Sequence, residues 1–457
     1  MSNLLSLLGL GASGIAAQNA GVSVAANNVA NVNTEGYSRE RVDLRAEPMT
    51  NRVLPGGVRA EATQRYANEM LSGRMRTASG ALGMSSAFHR AMLDLEHLVA
   101  SAGPGIEQSL AALSSKLGEV AAAPLDRNLR DAAVAAAGDL AANIRRRAES
   151  IDASQDDADA RIIANTSVAN TLTGQLAEAN RSLAMTDDPT LRDRRDQLAT
   201  QLADLVGGRA RIDPDGHMRF VLDGGAVLVD GVHAASLSTS ADPVTGFAQV
   251  EVVSGNQRRD VTRELRAGQV GGDLAFRDDA STAAAASLDA LAFDVSTAYN
   301  NVHRTGAGLD GGTGRDLFVP AAGPTGAALA FEVDPTVAAD SDLLASAAVG
   351  AGVGDNSGAL ALNQVAGQRV ATGGTRTLTD AAIDLSAGVG RIAADATAAY
   401  ERDRTVGTHL AGLRDAFAGV DLDEEMTQLA RFQHAAEAMT RVVSTVDQLL
   451  GDMIARL

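Results

Sequence analysis

The stretch Leu422–Leu457, LDEEMTQLARFQHAAEAMTRVVSTVDQLLGDMIARL, decides how the fold is read. Leu422, Leu429, Ala436, Val443, Leu450 and Leu457 recur every seven residues, and Phe432, Met439, Val446 and Met453 follow the same period at an offset of three. A proline-free apolar seam with that spacing specifies an amphipathic helix of coiled-coil type. Asp421, Asp423, Glu424 and Glu425 crowd its start, where unpaired backbone N–H groups favour negative charge. The other end of the chain repeats the pattern more weakly. Leu8, Ile15, Val22 and Val29 also recur every seven, with Leu5, Ala12 and Ala26 beside them, and Asn31 to Gly36 supply a stop. The reading is that the two terminal helices pair with each other and with copies of themselves.

Working inward, proline acts as a ruler because it breaks helices. It is absent between Pro124 and Pro189 and after Pro335, and helices are expected over Arg74–Ala100, Asn128–Ala184, Leu191–Leu205, Ser281–Val302 and about Leu378–Ala416. Between Gly207 and Thr262 the pattern turns to β-branched, alternating runs at Met218–Leu222, Ala226–Val229 and Gln249–Val253. Asp-Gly turns separate them, as in antiparallel sheet. The expected class is α+β: a mainly helical, elongated body, terminal helices in a coiled coil, and an inserted antiparallel β domain. The boundaries expected are residues 1–50 and 415–457 for the terminal coiled coil, 51–206 and 268–414 for the body, and 207–267 for the outer β domain. Within the body, 305–374 is a Gly- and Asp-rich irregular block with one strand at Ala330–Val333.

Composition narrows function by exclusion. Among 457 residues, 39 Lys and Arg oppose 57 Asp and Glu, a net charge of −18. Such a surface repels phosphate and anionic lipid, so neither nucleic acid nor membrane is an expected partner. Cysteine and tryptophan are absent, which removes thiol chemistry and zinc–thiolate sites. No basic residue precedes Arg39, so the start does not read as a cleaved secretory signal. Gly9-Leu10-Gly11-Ala12-Ser13-Gly14 fits G-x-G-x-x-G, yet only eight residues precede it and a helical stripe runs through it, so no nucleotide site is expected. The run Arg145–Arg147 is expected to pair within the molecule. The seven histidines lack metal-ligand spacing and no nucleophile elbow occurs. No catalytic, cofactor or metal residue is assigned.

The run Asn27-Asn28-Val29-Ala30-Asn31-Val32-Asn33-Thr34-Glu35-Gly36-Tyr37-Ser38-Arg39 resembles the signature of the bacterial flagellar axial proteins, the rod, hook and hook-associated family. Asn28, Asn31, Thr34, Gly36, Tyr37 and Arg39 are the matching motif positions. Gly419 to Glu425, then Leu429, Phe432-Gln433 and Ala438, resemble the family's C-terminal end. The stretches Leu191-Arg192-Asp193-Arg194-Arg195-Asp196-Gln197-Leu198 and Asn300-Asn301-Val302-His303 resemble hook-associated members rather than rod or hook subunits. The resemblance implies a structural role at the hook–filament junction, with terminal helices lining an inner tube. It further implies export through the flagellar type III apparatus and location in the extracellular flagellum. The implied partners are other copies of the chain, the hook protein, the second junction protein and a cytosolic export chaperone on the C-terminal helix. The competing readings are another axial protein, either the second junction protein or the hook subunit, or a secreted adhesin or enzyme carried on the β domain.

Overall fold

The computed structural model describes residues 2–47, 56–101 and 103–455. Its spine is a proline-free, alanine-rich helix, α4 (Arg127–Met185). Its 59 residues extend about 88 Å at 1.5 Å per residue. Asp126 caps it, its carboxylate accepting the Asn128 N–H at 2.9 Å. Before it come α1 (Ser2–Ala30), the hairpin β1 (Glu40–Ala46) and β2 (Val58–Arg65), α2 (Glu69–Ser101) and α3 (Ile106–Ala122). After it, Pro189 opens α5 (Pro189–Val206) behind the Asp188 cap.

Two antiparallel sheets follow, in the block where turn chemistry places strands. The first holds β3 (Arg209–Ile212), β4 (Met218–Val221), β5 (Val227–Asp230) and β6 (His233–Ala234); the second holds β7 (Ser236–Ala241), β8 (Ala248–Ser254) and β9 (Gln257–Asp260). Side chains of α4 pair with backbone of both. Asn180 accepts the Met218 N–H at 3.0 Å and donates to the Met218 carbonyl at 2.8 Å; Asn170 makes the same pair with Leu237 at 2.6 and 2.8 Å. Asp159 accepts the Ala248 N–H at 2.9 Å, and Arg277 donates to the Ala248 carbonyl at 3.0 Å. These bonds satisfy backbone groups left over by the ladders and fasten the sheets to the helix. Met218, Phe220, Leu228 and Val250 then share one core with Ile162, Leu176, Leu198 and Leu202.

The chain returns through α6 (Gly268–Leu274), a π-helical turn (Ala275–Ala280) and α7 (Ser281–His303). An irregular stretch carries α8 (Pro335–Ala339) and α9 (Ser357–Gln364) before α10 (Leu378–Ala418) and α11 (Leu422–Ala455). A second core joins α2, α3, the first half of α4, α7, α9 and α10, with Tyr299, Phe318 and Phe331 at its centre.

One local reading changes. Ala330–Val333 is not a strand: only Val333 bridges, to Phe318. Asp289 accepts the N–H groups of Gly326 and Ala328 at 2.7 and 2.9 Å, coiling the backbone there, while Phe331 fills the core. The basic run pairs with backbone where it is buried: Arg147 donates to the Pro104 carbonyl at 3.0 Å. Arg130 works in the same way and is the largest fully buried side chain. Its guanidinium donates to the carbonyls of Ser341 and Asp342 at 3.0 Å each, of Leu344 at 2.5 Å and of Pro124 at 3.1 Å, and to Ser346 Oγ at 2.7 Å. Replacing it by Met would leave several buried carbonyls unsatisfied. Arg130→Met is therefore expected to lower unfolding stability by about 3 kcal/mol in a denaturant titration, and an unchanged midpoint would show that the carbonyls find other donors.

Candidate functional site, the joint at the end of the terminal helices

Three glycines on α1 fix how the terminal helices meet. A Cβ placed on Gly11 would strike Val443, one on Gly14 would lie 3.1 Å from Met439 Cε, and one on Gly21 would lie 2.7 Å from the Phe432 ring. Rising numbers on α1 meet falling numbers on α11, so the helices are antiparallel. The buried face of α1 is the small-residue row Gly11, Gly14, Ala17, Gly21 and Ala25, which lets the backbones approach closely and seats the larger side chains of α11 between them. The expected seam on α1 is thereby displaced: Leu8, Ile15, Val22 and Val29 are half-buried, flanking the contact rather than forming it.

On α11 the expected residues divide. Phe432, Met439 and Val443 face the glycine row, and Val446 is 6 % exposed. Leu429 and Leu450 are half-buried. Leu422 and Met453 point outward, 48 % and 42 % exposed, and Leu457 lies outside the described residues. Val442, Leu449 and Met453 thus form an outer apolar flank, while Met426 is exposed on the opposite flank with Leu422, and Ile454 continues the row of Val443 and Leu450. The heptad count alone did not single out Met426, Val442, Leu449 and Ile454.

At the far end of the pair the contact turns polar. Asn28, 1 % exposed, is its hub. Its Oδ1 accepts the Glu40 N–H at 2.9 Å and the Tyr37 hydroxyl at 2.8 Å; its Nδ2 donates to the Glu40 carbonyl and to Glu425 Oε2, both at 2.9 Å. Two acceptor and two donor capacities of the amide are all used. Arg39 donates to Glu425 at 2.6 Å and pairs with Glu424 at 2.8 Å, while its backbone N–H donates to the Ala418 carbonyl at 2.8 Å. Glu425 therefore serves as a buried anchor, a role that the helix-dipole reading of the acidic run did not reveal.

The motif is bound to the body from the other side. Asp193 on α5 accepts the Ser38 N–H and hydroxyl at 2.8 Å each and pairs with Arg65 at 2.7 Å; Arg65 also pairs with Asp196 at 2.7 Å. Arg414 on α10 donates to the Tyr37 carbonyl at 2.9 Å. Gly36 takes a left-handed φ of +80°, and a side chain there would collide with Gln197, whose Nε2 donates to the Glu35 carbonyl at 2.5 Å. Asn31 and Thr34 remain in a local exposed turn, Asn31 donating to Asn27 and Thr34 to Asn31. The hairpin β1–β2, unforeseen in the sequence, lies along α1 and delivers Glu40 and Arg65, which pair across its open end.

Among the described residues Glu40 is a buried carboxylate of this joint with no ion pair, its side chain accepting only from Asn27 at 3.5 Å. Burial pushes its carboxyl above the usual range, the Asn27 hydrogen bond opposes the shift, and Asp193 and Asp188 add to it. Burial, with Glu40, Asp193 and Glu425 nearby, likewise pushes the Tyr37 hydroxyl up. Among the described residues no group of three His, Asp or Glu side chains is placed to hold a metal ion, and no helix is long and apolar enough to cross a membrane. The arrangement is a mechanical fastening, built from hydrogen bonds and ion pairs.

Comparisons agree along most of the chain. The family model for the helical domain of the flagellar hook-associated protein FlgK matches residues 92–318. Models for the flagellar basal body rod FlgEFG protein C-terminal region and for the basal body rod protein match 416–457 and 8–37. Flagellar hook-associated protein 1 of Bacillus subtilis is 26 % identical over 494 aligned positions, covering 96 % of both chains. The Salmonella typhimurium protein of the same name is 26 % identical over 68 % of this chain and 59 % of its own; that of Escherichia coli is 24 % identical over 68 % and 60 %. The match thus spans about three fifths of those two relatives. The solved flagellar hook junction protein FlgK from Burkholderia pseudomallei superposes with a TM-score of 0.69 at 16 % identity, over 76 % of this chain and all of that one, a likeness of fold.

Two outcomes test the joint. Gly21→Ala is expected to destabilise the α1–α11 contact by about 1–3 kcal/mol through overpacking, and Phe432→Leu in the same chain to recover part of the loss; equal losses in the single and double variants would contradict the close approach. Because the folded-state pKa of Glu40 is raised, its charged form weakens the fold above that pKa, and the penalty fades as pH falls through it. Glu40→Gln is expected to melt higher than the parent at pH 7 and to converge with it on acidification, measured by melting curves against pH.

Proposed function

We propose a mechanical function from one premise: the chain belongs to the flagellar hook-associated protein 1 family. It is a structural subunit of the bacterial flagellum, at the junction between hook and filament. Copies assemble through their terminal helices, a heterologous contact that closes as a ring or continues as a helix. Residues 1–50 and 415–457 are the inner tube segment in this reading, 51–206 and 268–414 the body, and 207–267 the outer part. The neighbours are further copies, the hook protein on one side and the second junction protein on the other. Export through the flagellar type III apparatus, with a cytosolic chaperone covering α11 beforehand, belongs to the same proposal.

One observation carries it: α11 presents apolar side chains on both of its faces. The inner face is met by the glycine row of α1, and the outer face, with Leu449 49 % exposed, lacks cover among the described residues. Burying a side chain of that size stabilises by about 1.5–3 kcal/mol, so a ring of copies that covers the outer face gains what a lone subunit lacks. The joint at Asn28 then passes force from this inner segment to the body.

The two faces of α11 are separable by substitution. Leu449→Asp is expected to leave monomer melting within about 0.5 kcal/mol of the parent, while cells carrying it make hooks without filaments under the electron microscope. Val443→Asp should instead destabilise the monomer by about 3 kcal/mol through a charge placed against α1. Normal filaments in Leu449→Asp cells would refute the outer-face contact.

A further inference from the structure

Arg195, on the second turn of α5, is 3 % exposed, yet its charge is not matched. Among the described residues its hydrogen bond is from Nη1 to the Gly216 carbonyl at 2.8 Å, and its Nε has no partner. Of the carboxylates around it, Asp193 and Asp196 pair with Arg65, Asp187 with Arg192 and Glu69 with Arg76; among the described residues Asp196 Oδ1, though without a hydrogen bond, does not bond Arg195. Arg195 lines a cavity of about 670 Å³ enclosed by the end of β2, the α4–α5 connection and the β3–β4 turn. Arg192, Arg65 and His217 also face this cavity, against Asp187 and Asp215.

A buried guanidinium normally carries a carboxylate partner, because one carbonyl does not offset the loss of its hydration. A guanidinium offers bidentate edges, and with Nη1 occupied the edge formed by Nε and Nη2 remains, matched to two carboxylate oxygens. We propose that this cavity is a carboxylate-binding socket, with Arg195 as its bidentate ligand and Arg192 and His217 as flanking donors. The carboxylate comes either from an acidic side chain of a neighbouring copy or from a small free anion. Burial, with Asp196 opposing, holds the Arg195 pKa below its ordinary value, as expected of a cation short of a counter-charge. The socket does not depend on the assembly reading, since it is complete within one chain.

The test uses the full-length monomer and malonate as probe, following the Arg195 Nε–Hε resonance and the melting temperature at fixed pH and ionic strength. Malonate is expected to shift the resonance saturably and raise the melting temperature, whereas neutral malonamide leaves both in place. Arg195→Gln should abolish the rise in melting temperature. Asp215→Asn, a change in an exposed turn that preserves folding, should tighten malonate binding about threefold or more by removing a repelling charge. A malonate response equal to that of malonamide, or one unaltered in Asp215→Asn, would overturn the socket. In assembled copies without added anion, a resonance already at its bound position assigns the carboxylate to a neighbour; an unbound position, still movable by malonate, assigns it to a small molecule. Either position supports the site, whereas an unbound position that malonate cannot move contradicts it.

Discussion

The four hydrogen bonds of the Asn28 amide are the constraint on which the rest of the structure depends. In a buried setting, a primary amide with any capacity unmet costs about 1–3 kcal/mol, so the places of its partners are strongly specified. Those partners come from three parts of the chain: the Tyr37 hydroxyl, both backbone groups of Glu40 at the root of the hairpin, and Glu425 near the start of α11. Satisfying Asn28 therefore fixes α1, β1 and α11 together. The next residues carry the connection outward, through Ser38 and Arg65 to Asp193 on α5 and through Arg414 to α10.

Beyond this polar end the terminal pair relies on close packing of small against large side chains. Gly11, Gly14 and Gly21 provide the space that Val443, Met439 and Phe432 fill. Glycine lowers helix propensity by about 1 kcal/mol at each such site, so the row persists because tertiary packing offsets that cost. The helices gain little from their other faces in a single chain, which suits a segment that neighbours must enclose. A stiff body completes the device: α4 runs through both cores, and its Asn170, Asn180 and Asp159 side chains fasten the two sheets directly to it.

Much of this was legible in the sequence where periodicity and punctuation act together. The absence of proline between Pro124 and Pro189 marks α4, Asp188-Pro189 marks the start of α5, and the Asp-Gly turns delimit β4 and β5. The seam on α11 was visible because large apolar residues carry it. Its counterpart on α1 was not, since heptad counting weighs Leu8 and Ile15 above Gly14 and Gly21, whereas close packing selects the reverse. The hairpin escaped because the apolar alternation in Glu40–Ala46, ERVDLRA, is only three residues deep (Val42, Leu44, Ala46) and its partner VRAEATQR is mostly polar, the strands being joined by ion pairs such as Arg45–Glu61. Asn28, Tyr37 and Arg39 could be marked through the resemblance. Glu425, which bonds Asn28 and Arg39, lies 397 and 386 residues away from them, and Asp193 lies 155 residues from Ser38; both were found only in the fold.

A joint of this kind transmits orientation only if the terminal helices cannot loosen without breaking it. Amide hydrogen exchange on the monomer, comparing the parent with Asn28→Asp, measures that most directly. The substitution keeps the shape but turns the two donors into an acceptor facing Glu425 and the Glu40 carbonyl. The account predicts that amides of α1 and α11 exchange at least about tenfold faster in the variant, equivalent to 1.4 kcal/mol, while those of α4 and α7 keep their protection. Unchanged exchange in α1 and α11 would contradict it.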